Sequence, residues 1–283
     1  MEWIQALNRA IDFIEQNLTQ ELSVDDIASH INISTFHFQR TFSALTGLTL
    51  SEYIRNRRLS LAGEELTKKN MKVIDVAYKY GYETPESFTK AFRRFHGITP
   101  AKAKKAGAGL KAFNPLVIKI KLEGGTIIDY KILKKEAFEV FVLSRIFDEN
   151  TSVKGIPKFW DEYFDKQLHE VVPANIGLCT QCKAGSNEFI YGIGCEKSKI
   201  KSYPTGFEVL KIPAYTWAIF KCVGAMPDAV QSMWKRIYSE WLPQASYELI
   251  PDYDIEYYMQ GDFGSDDYIS EIWIPVKEKR QNK

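Results

Sequence analysis

Cysteine and histidine are scarce in this 283-residue chain, four of each. All four cysteines, Cys179, Cys182, Cys195 and Cys222, fall in the second half. Cys179-Thr-Gln-Cys182 has the spacing of a redox or zinc half-site. The alternative is that all four are small apolar residues on or beside strands, and no metal or other cofactor is expected. His30, His37 and His96 lie far from His169, so no histidine cluster forms in the sequence. G-x-S-x-G, H-E-x-x-H and a P-loop lysine are all missing, which removes the commonest nucleophile, zinc-hydrolase and nucleotide signatures. Long apolar runs are missing too, and Glu2, Asn8, Arg9 and Asp12 interrupt the start. Neither a secretory signal nor a membrane span is expected, and the chain reads as cytoplasmic, where structural disulfides are disfavoured. A net charge of +1 gives no bulk electrostatic reason to bind nucleic acid.

What the first hundred residues do have is a repeat. FQRTFSALTGLT from Phe38 returns as FTKAFRRFHGIT from Phe88, matching Phe38 to Phe88, Phe42 to Phe92, Gly47 to Gly97 and Thr49 to Thr99. Asp26-Ile27-Ala28 and Asp75-Val76-Ala77 open a short helix before each copy. The unit is a short helix, a tight turn, a second helix and a glycine stop, which is a helix-turn-helix. Two in tandem point to double-stranded DNA. Charge is uneven through Ala112: Arg9 and Arg40 are the only Lys or Arg before residue 55, and the rest fall between Arg55 and Lys111.

Apolar spacing predicts a first helix over 3–17, and Ser23 with Asp26 forms a capping box for the next. Ser34 caps the helix that ends at Gly47. Phe38, Phe42 and Leu45 make its buried stripe, leaving Ser34, Thr35, His37, Gln39 and Arg40 on or near the open face. Recognition helices read base edges there. Arg40 suits guanine O6 and N7, and Gln39 suits adenine N6 and N7. A helix over 49–67 is expected to hold the two reading heads apart, with Arg55, Arg57 and Arg58 on phosphates or on acidic neighbours. In the second unit Thr84, Glu86, Ser87 and Lys90 point outward near the helix start, a set better suited to phosphate contact than to base discrimination.

GYETPESFTKAFRRFHGITP resembles the signature of AraC-type transcriptional regulators, and SVDDIASHINISTFHFQRTFSALTG resembles the first helix-turn-helix of their Rob-like branch. The resemblance implies that Phe36, Gln39 and Arg40 lie on a DNA-facing helix, that Lys90 is a basic contact of the second, and that RNA polymerase is a partner. After Thr99-Pro100 the family's usual tyrosine-arginine is replaced by Ala-Lys-Ala-Lys-Lys.

Beyond this the pattern changes to strands, expected over 127–133, 138–146, 207–212, 215–223 and 269–276, with helices over 156–168 and 228–241. This half repeats weakly: YKILKKEAFEVFVL parallels FEVLKIPAYTWAIF, and Trp160 falls over Trp234 in the helices that follow. The expected fold is multidomain, with an all-α tandem helix-turn-helix domain over 1–105 and a linker over 106–125. An α+β domain of duplicated strand-helix-strand-strand units with a central groove follows over 126–283. That second domain resembles the GyrI-like effector-binding domains, a likeness that implies small-molecule binding, often of cationic amphiphiles, against an acidic residue.

Strand alternation selects the candidates. If Ile272 and Ile274 pack on the helices, Glu271 and Trp273 line the groove together and suit an organic cation. Tyr191, Trp217, Tyr257 and Trp160 are expected as further wall, with Glu256 as the second carboxylate. Two other readings stand beside this sensor: a hydrolase-like enzyme using Glu271 with Tyr191 or Tyr257, and a protein-docking module.

Overall fold

The computed structural model describes residues 2–33, 35–68, 71–105, 107–118, 127–182, 188–200 and 203–279. The chain divides into two compact units. One comprises Glu2–Ile33 and Leu48–Lys121; the other comprises Ser34–Gly47 together with Leu122–Lys283.

The first unit is helical: α1 (Glu2–Gln16), α2 (Val24–His30), α4 (Leu50–Lys68), α5 (Val73–Lys79), α6 (Pro85–His96) and α7 (Pro100–Ala103). Ser23 and Asp26 cap α2 reciprocally, each side chain accepting from the other's backbone N–H. Thr84 caps α6, and its Oγ1 accepts from Ser87 N at 3.2 Å. Leu59, Ala62 and Leu66 of α4 pack with Val76 and Ala77 of α5 and with Phe88 and Phe92 of α6. Small alanines let these helices cross closely. Two arginines of α4 hold this unit together: Arg57 pairs with Glu15 at 2.7 Å, and Arg58 donates to the carbonyls of Leu18 and Gln20, while Arg55 stays exposed. Of the stretch expected as a linker, 107–118 is bonded along the helices, with Phe113 N on Ser60 Oγ at 3.0 Å and Leu116 N on the Tyr53 hydroxyl at 3.2 Å, while 106 and 119–125 lie outside the described residues.

The second unit contains α3 (Thr35–Thr46) and an antiparallel sheet. Its strands are β1 (Tyr130–Lys135), β2 (Phe138–Asp148), β3 (Ile176–Gln181), β4 (Glu188–Glu196), β5 (Glu208–Ile212), β6 (Tyr215–Val223), β7 (Tyr247–Leu249), β8 (Tyr253–Tyr258) and β9 (Ile269–Glu278). Helix α8 (Glu149–Asp165) follows β2, and α9 (Asp228–Arg236) follows β6 and continues as a π-helical turn over Ile237–Trp241. Strand order is β1-β6-β9-β8-β3-β4-β2-β5, with β7 beside β9. The duplication is therefore visible in the sheet. Each repeat contributes a strand to the far side of the other, and β3 and β8 meet in the middle, with Leu178 opposite Ile255.

Both helices lie on one sheet face. Phe159 and Tyr163 of α8 pack on Phe147, Tyr191 and Ile193; Val230, Met233 and Trp234 of α9 pack on Phe220, Ile272 and Ile274. Helix α8 begins earlier than its apolar pattern predicts because Asp148 and Thr151 form a capping box. No disulfide forms among the described residues, and three of the cysteines sit in separate apolar clusters: Cys179 by α8, Cys222 by α9, Cys195 with Phe141 and Val172. Burial pushes the thiol of Cys195 up to about 11 and that of Cys222 to about 12. Cys179, Cys195 and Cys222 behave as small apolar residues. Among the described residues no group of His, Cys, Asp and Glu is placed to hold a metal, and no helix is long and apolar enough to cross a membrane.

Candidate functional site

Alternation along β8 sends Asp254, Glu256 and Tyr258 to the helix-bearing face and Tyr253, Ile255 and Tyr257 to the other. The two carboxylates thus rise side by side between α8 and α9. Opposite them on β3 stand small residues, Gly177 facing Glu256 and Cys179 facing Asp254. The duplication is broken at this point: one central strand supplies acids, the other supplies space. A Cβ on Gly177 would lie 2.5 Å from the Tyr191 hydroxyl, so only glycine admits that ring at its observed depth.

Aromatic donors hold Glu256 in place. Trp234 Nε1 donates to Oε1 at 3.0 Å, and the Tyr258 hydroxyl donates to Oε2 at 2.7 Å. The Tyr191 hydroxyl lies 3.5 Å from the same Oε2 and accepts from Trp160 Nε1 at 3.0 Å. The Trp160 ring meets Tyr258 edge-on at 5.1 Å. Asp254 has less support. It is 1% exposed, and its Oδ1 has no hydrogen-bond partner among the described residues. Burial pushes its carboxyl up to about 6, against the downward pull of Arg40 and with a further push from Glu256.

A guanidinium occupies the space between the acids and the indole. Arg40 Nη1 donates to Asp254 Oδ2 at 2.9 Å, its Nη2 lies 3.5 Å from Glu256 Oε1, and its Cζ sits 3.9 Å above the Trp234 ring. Burial opposes this charge, but Asp254 and Glu256 hold the group protonated well above the ordinary arginine range. Ala44 and Leu45, one turn further along α3, pack against the apolar cluster of α9. The box thus has one planar cation against two carboxylates, with an aromatic floor.

The predicted groove residues separate into two sets. Glu256, Tyr191 and Trp160 belong to this box. Glu271, Trp273, Tyr257 and Trp217 lie on the opposite face of the sheet, because Trp273 is paired with Ile255 and Glu271 with Tyr257. Ile272 and Ile274 do pack on a helix, but the groove between the helices opens on that same face, so the residues of opposite parity turn away from it. There Trp273 donates to its neighbour Glu271 at 2.8 Å, stacks on Tyr257 at 5.5 Å and meets Trp217 at 5.9 Å. Lys131 pairs with Glu271 at 3.1 Å. The pairing of Glu271 with Tyr191 as catalytic partners is excluded, since the sheet separates them. Asp254, Trp234 and Tyr258 escaped the sequence reading. Two signals pointed to them: Asp254 and Tyr258 share the parity of Glu256, and Trp234 is the repeat partner of Trp160.

The two helices expected to read DNA differ in access. On α6, Thr84, Glu86, Ser87 and Lys90 are exposed, as are Arg93 and Arg94. Thr84 and Ser87 also bond each other at the helix start, Ser87 Oγ donating to Thr84 O at 2.8 Å. On α3 the expected open face is covered: Thr35 and Gln39 are buried and Arg40 is held in the acidic box. Gln39 Nε2 is enclosed without a hydrogen-bond partner among the described residues. Ser34, and the side chains of Phe36 and His37, lie outside the described residues. Both helices end alike, at Gly47 with φ 70° and Gly97 with φ 80°, conformations that glycine alone adopts freely.

Comparison with known proteins fits both halves. Residues 16–106 match a helix-turn-helix domain model, and 131–276, just over half of the chain, match that of the integron-associated effector binding protein. The HTH-type transcriptional activator AarP of Providencia stuartii is 39% identical over 112 residues, covering 40% of this chain and 81% of that protein. The regulatory protein SoxS of Salmonella typhimurium is 36% identical over 97 residues, covering 34% of this chain and 91% of SoxS. A crystal structure described as a putative bacterial transcription regulation protein from Staphylococcus aureus MU50 covers 53% of this chain and 99% of its own, at 20% identity and TM-score 0.45. Sequence kinship over both segments places the chain in the AraC-type helix-turn-helix transcriptional regulators, with a GyrI-like effector-binding domain behind the DNA-binding one.

Proposed function

We propose that this regulator senses an organic cation at the box formed by Asp254, Glu256, Trp160, Tyr191, Trp234 and Tyr258. One observation carries the reading: a guanidinium is already accommodated there, between two carboxylates and over an indole. Charge, planarity and a cation–π floor select for a delocalised cation over a neutral molecule of the same shape. Glu271 and Trp273, turned to the other face, are not part of this site.

On DNA, the exposed start of α6, with Glu86 and Lys90, contacts one major-groove segment and the phosphates beside it, helped by Arg93 and Arg94. Arg40 and Gln39 of α3 read the adjacent segment. The chain works in the cytoplasm with RNA polymerase, a reading supported by relatives named as transcriptional activators, and it turns over no substrate.

Isothermal titration of the full chain with benzamidine, against neutral benzamide as the isostere, tests the sensor. Saturable binding of the cation alone, lost in Glu256→Gln and kept in Glu271→Gln, is the expected result. Equal binding of both compounds would remove charge recognition, and loss in Glu271→Gln alone would move the site to the other face.

A further inference from the structure

The cation in the box belongs to the helix assigned to base reading. Arg40 is donated to Asp254, set beside Glu256 and stacked on Trp234, so it fills the position that an external cation would take. The same side chain is the strongest base-reading group of α3. It cannot pair with guanine and with Asp254 at once.

From this shared use we infer that the effector box is a self-occupied latch: Arg40 acts as the protein's own ligand, holding α3 on the effector unit, and a planar amidinium or guanidinium compound competes for the box and releases the helix. This rests on the cation-sensing reading above and adds both the ligand class and the direction of control.

Three features support a competing ligand over a permanent structural pair. Two carboxylates face one guanidinium, so the box keeps a negative excess after Arg40 is seated. Asp254 uses Oδ2 on Arg40 and leaves Oδ1 buried without a hydrogen-bond partner among the described residues, a defect that a bidentate amidinium would remove. Gln39, the preceding residue on α3, is likewise enclosed with its amide nitrogen unpartnered among the described residues, so seating the helix leaves polar groups unsatisfied on both sides of the contact. Beyond Arg40, α3 meets this unit through Ala44 and Leu45 against the α9 cluster and through Thr41, which hydrogen-bonds the Tyr238 side chain. The unsatisfied groups narrow the margin that favours the latched state, which is the condition under which a ligand can reverse it.

The latch makes the two binding events thermodynamically linked. A cation that binds only the open box must first displace Arg40, so its apparent affinity is reduced by the fraction of open chains. By reciprocity, removing Arg40 raises cation affinity, while removing the acids frees the helix.

Two measurements on the full chain test this. Hydrogen exchange compares α3 amides in the wild type with those in Asp254→Asn and, as an independent release, Arg40→Gln. Exchange in α3 is expected to rise at least tenfold in both variants while the β3 and β4 amides keep their protection. Unchanged α3 exchange in both would overturn the latch. Benzamidine titration then compares the wild type with Arg40→Gln, where affinity is expected to rise at least tenfold. Equal or weaker binding in Arg40→Gln would overturn competition. If neither chain binds benzamidine but α3 is released in both variants, the latch stands and the cation-sensing reading fails.

Discussion

At the scale of single residues, the Arg40–Asp254 pair is the place where burial and charge oppose each other most directly. Truncating one member of a buried pair leaves the other charge unsolvated, at about 3 kcal/mol. Arg40→Ala is therefore expected to lower the melting temperature at pH 8, through Asp254 and not through lost packing alone. The sign with pH follows. The Asp254 carboxyl lies at about 6 when folded against an ordinary 3.8, so it holds its proton more tightly folded than unfolded. Stability linked to this group is full at low pH and is lost as pH rises through the folded value. The other groups facing it are Glu256, Cys179 of β3 and Tyr238 of the π-helical turn. Without Arg40 the value moves above 6, so the stability gap to the wild type should narrow from pH 8 to pH 5.5 in thermal melts. A constant gap would assign the loss to packing. Gly177 offers a second residue-scale check. Gly177→Ala drives a methyl into the Tyr191 hydroxyl at 2.5 Å, so benzamidine affinity should fall at a stability cost of about 1–3 kcal/mol.

At the scale of elements, the two reading helices are near copies in sequence and differ in surroundings. Helix α6 keeps its basic face open, with Lys90, Arg93 and Arg94 exposed. Lys90→Ala should weaken binding to an arbitrary duplex at every sequence and lower the salt slope by about one, measured by fluorescence anisotropy across a salt series. An unchanged slope would take Lys90 off the phosphates. Helix caps, glycine stops and aromatic stripes were legible in the sequence because each is set within a few residues. Ser23 with Asp26, and Gly47 with Gly97, behave as their spacing predicts. Strand parity was legible as well, but not which parity faces the groove. Ile272 and Ile274 were assigned correctly to the helices, and Glu271 with Trp273 then misassigned to the groove, because core and groove share one face. The residues of the box come from β4, β8, α8 and α9, and the register of Gly177 opposite Glu256 is a long-range pairing that no local pattern carries. The covering of α3 was illegible for the same reason: Arg40 and Asp254 are 214 positions apart.

At the scale of the whole molecule, the sequence and the compact units disagree about α3, and that disagreement has a functional consequence. By sequence α3 falls inside the helix-turn-helix segment matched over 16–106; by packing it belongs with the effector unit. A segment claimed by two partners is a switch when its two uses exclude each other and each is biased by a different ligand. DNA favours α3 released, and the acidic box favours it seated. A cation that takes the box then acts on the same side of the equilibrium as DNA, so the two should bind with positive cooperativity. The expectation is concrete. Duplexes selected from a random pool by Asp254→Asn should bind the wild-type chain several-fold more tightly when benzamidine is saturating, and should bind Asp254→Asn equally well with or without it. The factor is limited by the latch, because a ligand shifts an equilibrium by no more than its differential affinity for the two states. If benzamidine instead weakens the wild-type complex, the cation stabilises the seated helix, and the direction of control is reversed while the box remains its site.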